Sequence, residues 1–199
     1  MAKVVLLGGK WLGARVLEGL VAQGHEVSVI AASRADQTVV TARRLRCHLV
    51  VKPERTPLIG RDIPWRPDLV VSAHSFRIVP GWLVTFSKQG AIGYHPSVLP
   101  SFKGRHAVQD TIAAGVRMTG GTVYHLTDQI DGGAPLRIGD RLFVEHVQII
   151  PGEDAAGLWQ RVLAPVGLGL LLEAVGGVLV QGSRLEKLTT CASVLAERE

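Results

Sequence analysis

The chain has 199 residues, 47% of them hydrophobic and 20% charged, with a formal net charge of +5. Such a composition supports one ordinary domain with its own core and excludes disorder, collagen-like repeats and coiled coils. Two cysteines, Cys47 and Cys191, are too few for a disulfide framework or a four-Cys zinc site, which points to a reduced, cytoplasmic protein without a metal. A basic balance favours anionic partners in general. Here Lys and Arg are scattered, and their one run, Arg43, Arg44 and Arg46, falls on an expected helix end where cations suit the helix dipole. Nucleic acid is therefore not an expected partner. Nor is a membrane, because no apolar stretch of spanning length and no leader segment is expected.

Residues 3–7 form a short β-branched apolar run closed by Gly8 and Gly9, which predicts a buried parallel strand. Leu12, Val16 and Leu20 recur at helical spacing, and Gly24 ends that helix. A strand over 25–30, a helix over 38–45 and a strand over 47–51 follow. Residues 52–67 are rich in proline and charge and read as irregular. A strand over 68–73, a helix over 80–86 opening on Pro80, and a strand over 91–94 complete the alternation. That order predicts an α/β fold, a Rossmann-like open, mostly parallel sheet with helices on both faces. The pattern changes after Arg105. A helix over 107–114 precedes strands over 122–126 and 142–149 with no room for helices between them, then a long helix over 153–175 kinked at Pro165. A last strand or hairpin is expected over 178–188. Residues 1–199 are expected to be a single catalytic domain with no appended C-terminal domain.

Two segments carry candidate chemistry. Gly8-Gly9-Lys10-Trp11-Leu12-Gly13 joins a strand to a helix, where amides at the helix N-terminus can hold an anion. It matches neither the dinucleotide fingerprint nor the P-loop, and a tight turn that needs small residues explains it equally well. The second segment, His95-Pro96-Ser97-Val98-Leu99-Pro100-Ser101-Phe102-Lys103-Gly104, puts a polar histidine directly after a buried strand. Open α/β sheets gather their ligands at that edge, and two prolines stiffen the loop that follows.

This segment continues into Thr119-Gly120-Gly121-Thr122 and Asp131-Gly132-Gly133, and it is preceded by Asp68-Leu69-Val70-Val71 and Phe76-Arg77-Ile78-Val79-Pro80. Together these residues resemble the formyltransferase family that uses 10-formyltetrahydrofolate, over residues 3–173. The resemblance implies that His95 donates to the developing oxyanion or shuttles a proton to the leaving nitrogen. It implies that Asp131 orients His95 and accepts the amine's proton through a water. It assigns the pterin to backbone groups of Phe76, Arg77, Ile78 and Val79 and of Gln129, Ile130 and Asp131. It assigns the acceptor to Gly9, Lys10, Ser97 and Arg105, with Lys10, Arg105 and Arg137 as anion contacts.

The departure is at Gly93. The family places Asn two residues before the histidine, and this chain contains no Asn at all. One lost oxyanion donor is worth about 10²–10³ in kcat; Tyr94, Ser97, Arg105 or a water are the candidate substitutes. The segment Gly9-Lys10-Trp11-Leu12-Gly13 resembles the family's sugar-nucleotide branch. The implied function is N-formylation of the amine of a small anionic substrate, a sugar nucleotide or similar. The alternatives are a 10-formyltetrahydrofolate hydrolase, and a folate- or nucleotide-binding relative impaired by Gly93.

Overall fold

The structure is a computed structural model that describes residues 1–181. Strand β1 (Lys3–Gly8) leads into α1 (Lys10–Ala22), then β2 (Glu26–Ala31), α2 (Gln37–Arg44) and β3 (His48–Val51). A single 3₁₀ turn at Gly60–Asp62 interrupts the irregular stretch before β4 (Leu69–Ala73), α3 (Gly81–Phe86) and β5 (Ala91–His95). Next come α4 (Ala107–Ala113), β6 (Met118–His125), the two-residue strands β7 (Arg137–Ile138) and β8 (Arg141–Leu142), and β9 (Val144–Gln148). Helix α5 (Ala155–Leu158) passes through a π turn at Trp159–Leu163 into α6 (Ala164–Gln181).

Seven strands make one sheet in the order β3-β2-β1-β4-β5-β6-β9. The first five are parallel, as expected, and β6 and β9 are antiparallel. Parallel strands covered on both faces read as continuous apolar runs, and Val4, Val5, Leu6 and Leu7 are all fully buried. Val4 and Leu6 face Leu12, Val16, Leu17 and Leu20 of α1 and Leu171, Ala174 and Val175 of α6. Val5 and Leu7 face Leu58, Ile63, Val79 and Leu83 on the other side. Helices therefore cover both faces, and the expected strand boundaries hold to within a few residues.

Three expectations are corrected. Residues 178–181 continue α6 rather than starting a strand, and the rest of the expected hairpin lies outside the described residues. The kink near Pro165 is a π turn. Pro165 has no N–H to donate, so the ladder widens just ahead of it. The helical stretch Ala155–Val180 runs 26 residues and is long and apolar enough to cross a membrane by length and composition, which overturns the expectation of no such segment. Its Leu170, Leu171, Ala174, Val175 and Val178 pack into the core.

The strand order places the site. The chain steps from β1 to β2 on one side and returns through β4 on the other, so a crevice opens at the carboxyl ends of β1 and β4. Gly9, His74 and His95 all sit at that edge.

Candidate active site

His95 is the last residue of β5, and its ring is almost wholly buried. Its Nδ1 lies 3.3 Å from Asp131 Oδ2. On the other side of the ring, Nε2 donates to the Phe102 carbonyl at 2.7 Å. The Asp131 carboxylate takes two more donors: the Tyr124 hydroxyl to Oδ1 at 2.6 Å and the Gly104 amide to Oδ2 at 2.7 Å. Asp131 itself has φ 47°, a left-handed conformation uncommon outside glycine. Neighbours thus hold the carboxylate from three directions.

The two glycine-rich motifs supply that frame. In β6, Thr122 lies opposite His95. Its Oγ1 donates to the Ser97 carbonyl at 2.7 Å and accepts from the Leu99 amide at 3.1 Å. The loop after His95 is pinned to β6 there, which delivers the Phe102 carbonyl to His95 and the Gly104 amide to Asp131. Tyr124 was missed by sequence reasoning. It sits opposite Gly93 and seven residues before Asp131, a register that only the strand pairing reveals. Burial, and then the hydrogen bond to Asp131, push its phenol far above its ordinary pKa, so it stays a donor.

These groups face a cleft of about 660 Å³ whose walls include Phe76, Arg77, Ile78, Val79, Arg105, Gln129, Ile130 and Asp131. Phe76, Ile78 and Ile130 are 42%, 54% and 63% exposed, so the first two are cleft residues rather than core. Among the described residues, the backbone groups of Phe76, Ile78, Val79 and Ile130 have no intramolecular partner. Arg77 lines the cleft with its backbone. Its guanidinium is buried the other way, donating to the carbonyls of Lys52, Pro53 and Thr56. Arg105 stacks over Phe76 at 4.4 Å and pairs with Glu54, and Lys10 Nζ lies 5.9 Å from the same ring.

Several expected contacts are corrected. Ser97 is fully buried and donates its hydroxyl to the Ser101 carbonyl, which removes it from the acceptor site. Gly9 is buried and lines neither this cleft nor the cavity beside it. A Cβ there would lie 2.5 Å from the His74 carbonyl, so the tight-turn reading of this glycine holds. Arg137 lines neither this cleft nor the cavity beside it and reaches the Asp140 carbonyl. Tyr94 donates to the Leu163 carbonyl inside the core and is no substitute oxyanion donor. Gly93 has no open gap in front of it: a Cβ on it would meet Leu126 Cδ2 at 2.7 Å.

A second cavity, of about 650 Å³, adjoins the first and shares Lys10, His74 and Trp159 with it. His74 has φ 57° and stands edge-on to Phe76 and Trp159, with centroids 5.8 and 4.9 Å away. Desolvation, with Lys10 nearby, pushes its pKa down to about 4, so the ring is neutral at pH 7.

Residues 60–175 match the family model described as "Formyl transferase", and the chain belongs to that family. Among its relatives, the methionyl-tRNA formyltransferase of Acidobacterium capsulatum is 28% identical over 91% of this chain and 60% of its own length. That of Latilactobacillus sakei is 27% identical over 91% and 59%. The chain thus spans about 60% of the length of these curated relatives. Glycinamide ribonucleotide transformylase 1 from Symbiobacterium toebii superposes with a TM-score of 0.75 at 22% identity, covering 92% of this chain and 89% of that one. Phosphoribosylglycinamide formyltransferase from Streptococcus pneumoniae gives 0.71 at 20% identity, covering 90% and 99%. At that identity both show the fold.

Proposed function

We propose that this chain is a cytoplasmic enzyme of one-carbon metabolism that moves a formyl group from 10-formyltetrahydrofolate to the amine of a small molecule. The observation that carries the reading is the His95–Asp131 pair, 3.3 Å apart, at the wall of a cleft with exposed apolar rings and unpaired backbone groups. A pterin is flat and edged with donors and acceptors. Unpaired backbone at Ile78, Val79 and Ile130 offers complementary partners, and Phe76 and Ile78 offer apolar surface.

In the reaction the amine nitrogen attacks the formyl carbon, the bond from that carbon to folate N10 breaks, and one amine proton ends on N10. Asp131 holds the His95 ring through Nδ1, and His95 stabilises the oxyanion or passes the proton when Nε2 exchanges the Phe102 carbonyl for the substrate. Arg105 and Lys10 offer positive charge at the cleft mouth, and Gly93 marks the position from which the family's amide is missing.

Titration with 5-formyltetrahydrofolate, a stable analogue, tests the cosubstrate, and saturable binding is expected. Turnover of 10-formyltetrahydrofolate with candidate amines tests the transfer. His95→Ala and Asp131→Asn should each lower kcat by about 10²–10⁴ while 5-formyltetrahydrofolate still binds. Formate release at the same rate with or without amine would identify a hydrolase. Binding without either product would identify a folate binder.

A further inference from the structure

The second cavity lies on the far side of His74 and Trp159 from the Phe76–Ile78 wall. If the first cleft takes the folate, as proposed above, the acceptor reaches His95 from this second arm. Its walls include Trp11, 41% exposed, the partly buried Trp159, the amides Gln37 and Gln160, the neutral His74, Asp36 and Lys10.

Asp36 decides what can enter. The N-terminus of a helix after a strand is a ready anion site, and two such ends, of α1 and α2, meet here. One amide at each end is held from within the chain. The Lys10 amide lies 3.0 Å from each Asp36 oxygen, and the Thr38 amide donates to Oδ1 at 2.8 Å. Lys10 stands at φ 53°, which turns its amide onto that carboxylate. An incoming phosphate would find these two amides taken and a carboxylate in front of them. Lys10 lines both cavities, and its ammonium lies 5.9 Å from the Phe76 ring of the first cleft, so the charge that holds the two amides of this arm is the Asp36 carboxylate.

We infer that this second arm takes an uncharged planar ring with an amide-like edge on the acceptor, between Trp11 and Trp159 and read by Gln37 and Gln160, and that Asp36 excludes a phosphate from it. Indole faces hold flat rings of any sequence or substituent, and carboxamides pair with a neutral donor–acceptor edge. The acceptor's amine then projects across the junction to His95.

The test uses the indole N–H resonances of the four tryptophans, assigned by single Phe substitutions, with adenosine and adenosine 5′-monophosphate as probes. Adenosine should shift the Trp11 and Trp159 signals, and the monophosphate should bind at least about tenfold more weakly. Asp36→Asn retains an acceptor oxygen for the Lys10 amide but loses the charge, and should close that gap. Gln37→Lys, at an exposed position that does not disturb the caps, should narrow it as well. Binding of the monophosphate as tight as that of adenosine would overturn the inference. So would Trp11 and Trp159 signals that stay still while 5-formyltetrahydrofolate binds the first cleft. Adenosine binding with the phosphate penalty, on a chain that ignores the folate, would keep this subsite and sink the formyltransferase reading instead.

Discussion

A Cβ on Gly93 would lie 2.7 Å from Leu126 Cδ2 and 3.4 Å from Ser72 Cβ, so the small residue and the half-buried leucine fit one another. Gly93→Asn on its own should therefore overpack the site and cost about 1–3 kcal/mol, read as a lowered urea midpoint. In a Leu126→Ala background the amide has room. If a missing oxyanion donor limits the reaction, the double variant should gain up to about 10²–10³ in kcat, with KM little changed. Loss of that gain on adding His95→Ala would place both groups on the same intermediate. His74 gives a second prediction at this scale. Its folded pKa of about 4 is below the ordinary 6.5, so between those values the unfolded chain binds more protons. Stability is then complete above pH 6.5 and falls as the pH drops towards 4, by about 2–3 kcal/mol for this one group. His74→Gln should flatten that part of a denaturation series across pH. The pairing of His95 with Asp131 was legible from their two motifs. Leu126 was not, because nothing in a one-dimensional pattern says that a side chain one residue past a strand folds back over a neighbouring glycine, and Tyr124 was not, because its reach to Asp131 depends on the pairing of β5 with β6.

At the scale of elements, the irregular stretch before β4 is held by the Lys52–Asp62 ion pair within it and by one buried cation from outside it. Arg77 reaches from the cleft loop to three carbonyls, of Lys52, Pro53 and Thr56. Desolvation pulls its pKa below the usual value, against Glu54 and Asp62, which raise it. Arg77→Met would leave those carbonyls without the donor they face and should cost about 2–3 kcal/mol. It should also raise the Kd for 5-formyltetrahydrofolate, since the same residue shapes the cleft backbone; a variant of unchanged stability would refute this tie. Strand and helix periodicity exposed most of this fold. The continuous run Val4–Leu7 answers to burial on both faces of the sheet, and the spacing of Leu12, Val16 and Leu20 to burial on one face of a helix. The 52–67 stretch was opaque because part of its order comes from a side chain more than twenty residues away. The end of the chain was misread over 178–181 because a helix buried along one side and a β-branched strand have similar composition.

For the whole molecule, the consequence of the strand order is that two cavities meet at the same switch point, with Trp159 in the wall of both. Trp159 opens the π turn that precedes Pro165. The fold class and its ligand edge followed from the alternation of elements, whereas the π turn and the shared wall depend on three-dimensional packing. A residue in one arm only should affect one ligand, and a shared one should affect both. Ile78→Ala should raise the Kd for 5-formyltetrahydrofolate several-fold and leave the acceptor's KM near its native value. Trp159→Ala should raise both by about five- to tenfold, the effect expected for loss of one stacking face worth about 1 kcal/mol or more. Thermal shifts with each ligand alone, then together, read the coupling. Ligands that meet across Trp159 should stabilise the native chain by more than the sum of their separate shifts. In Trp159→Ala that excess should disappear. Strictly additive shifts in the native chain would mean that the two arms work as separate sites, and that the amine and the formyl group do not meet where the strands converge.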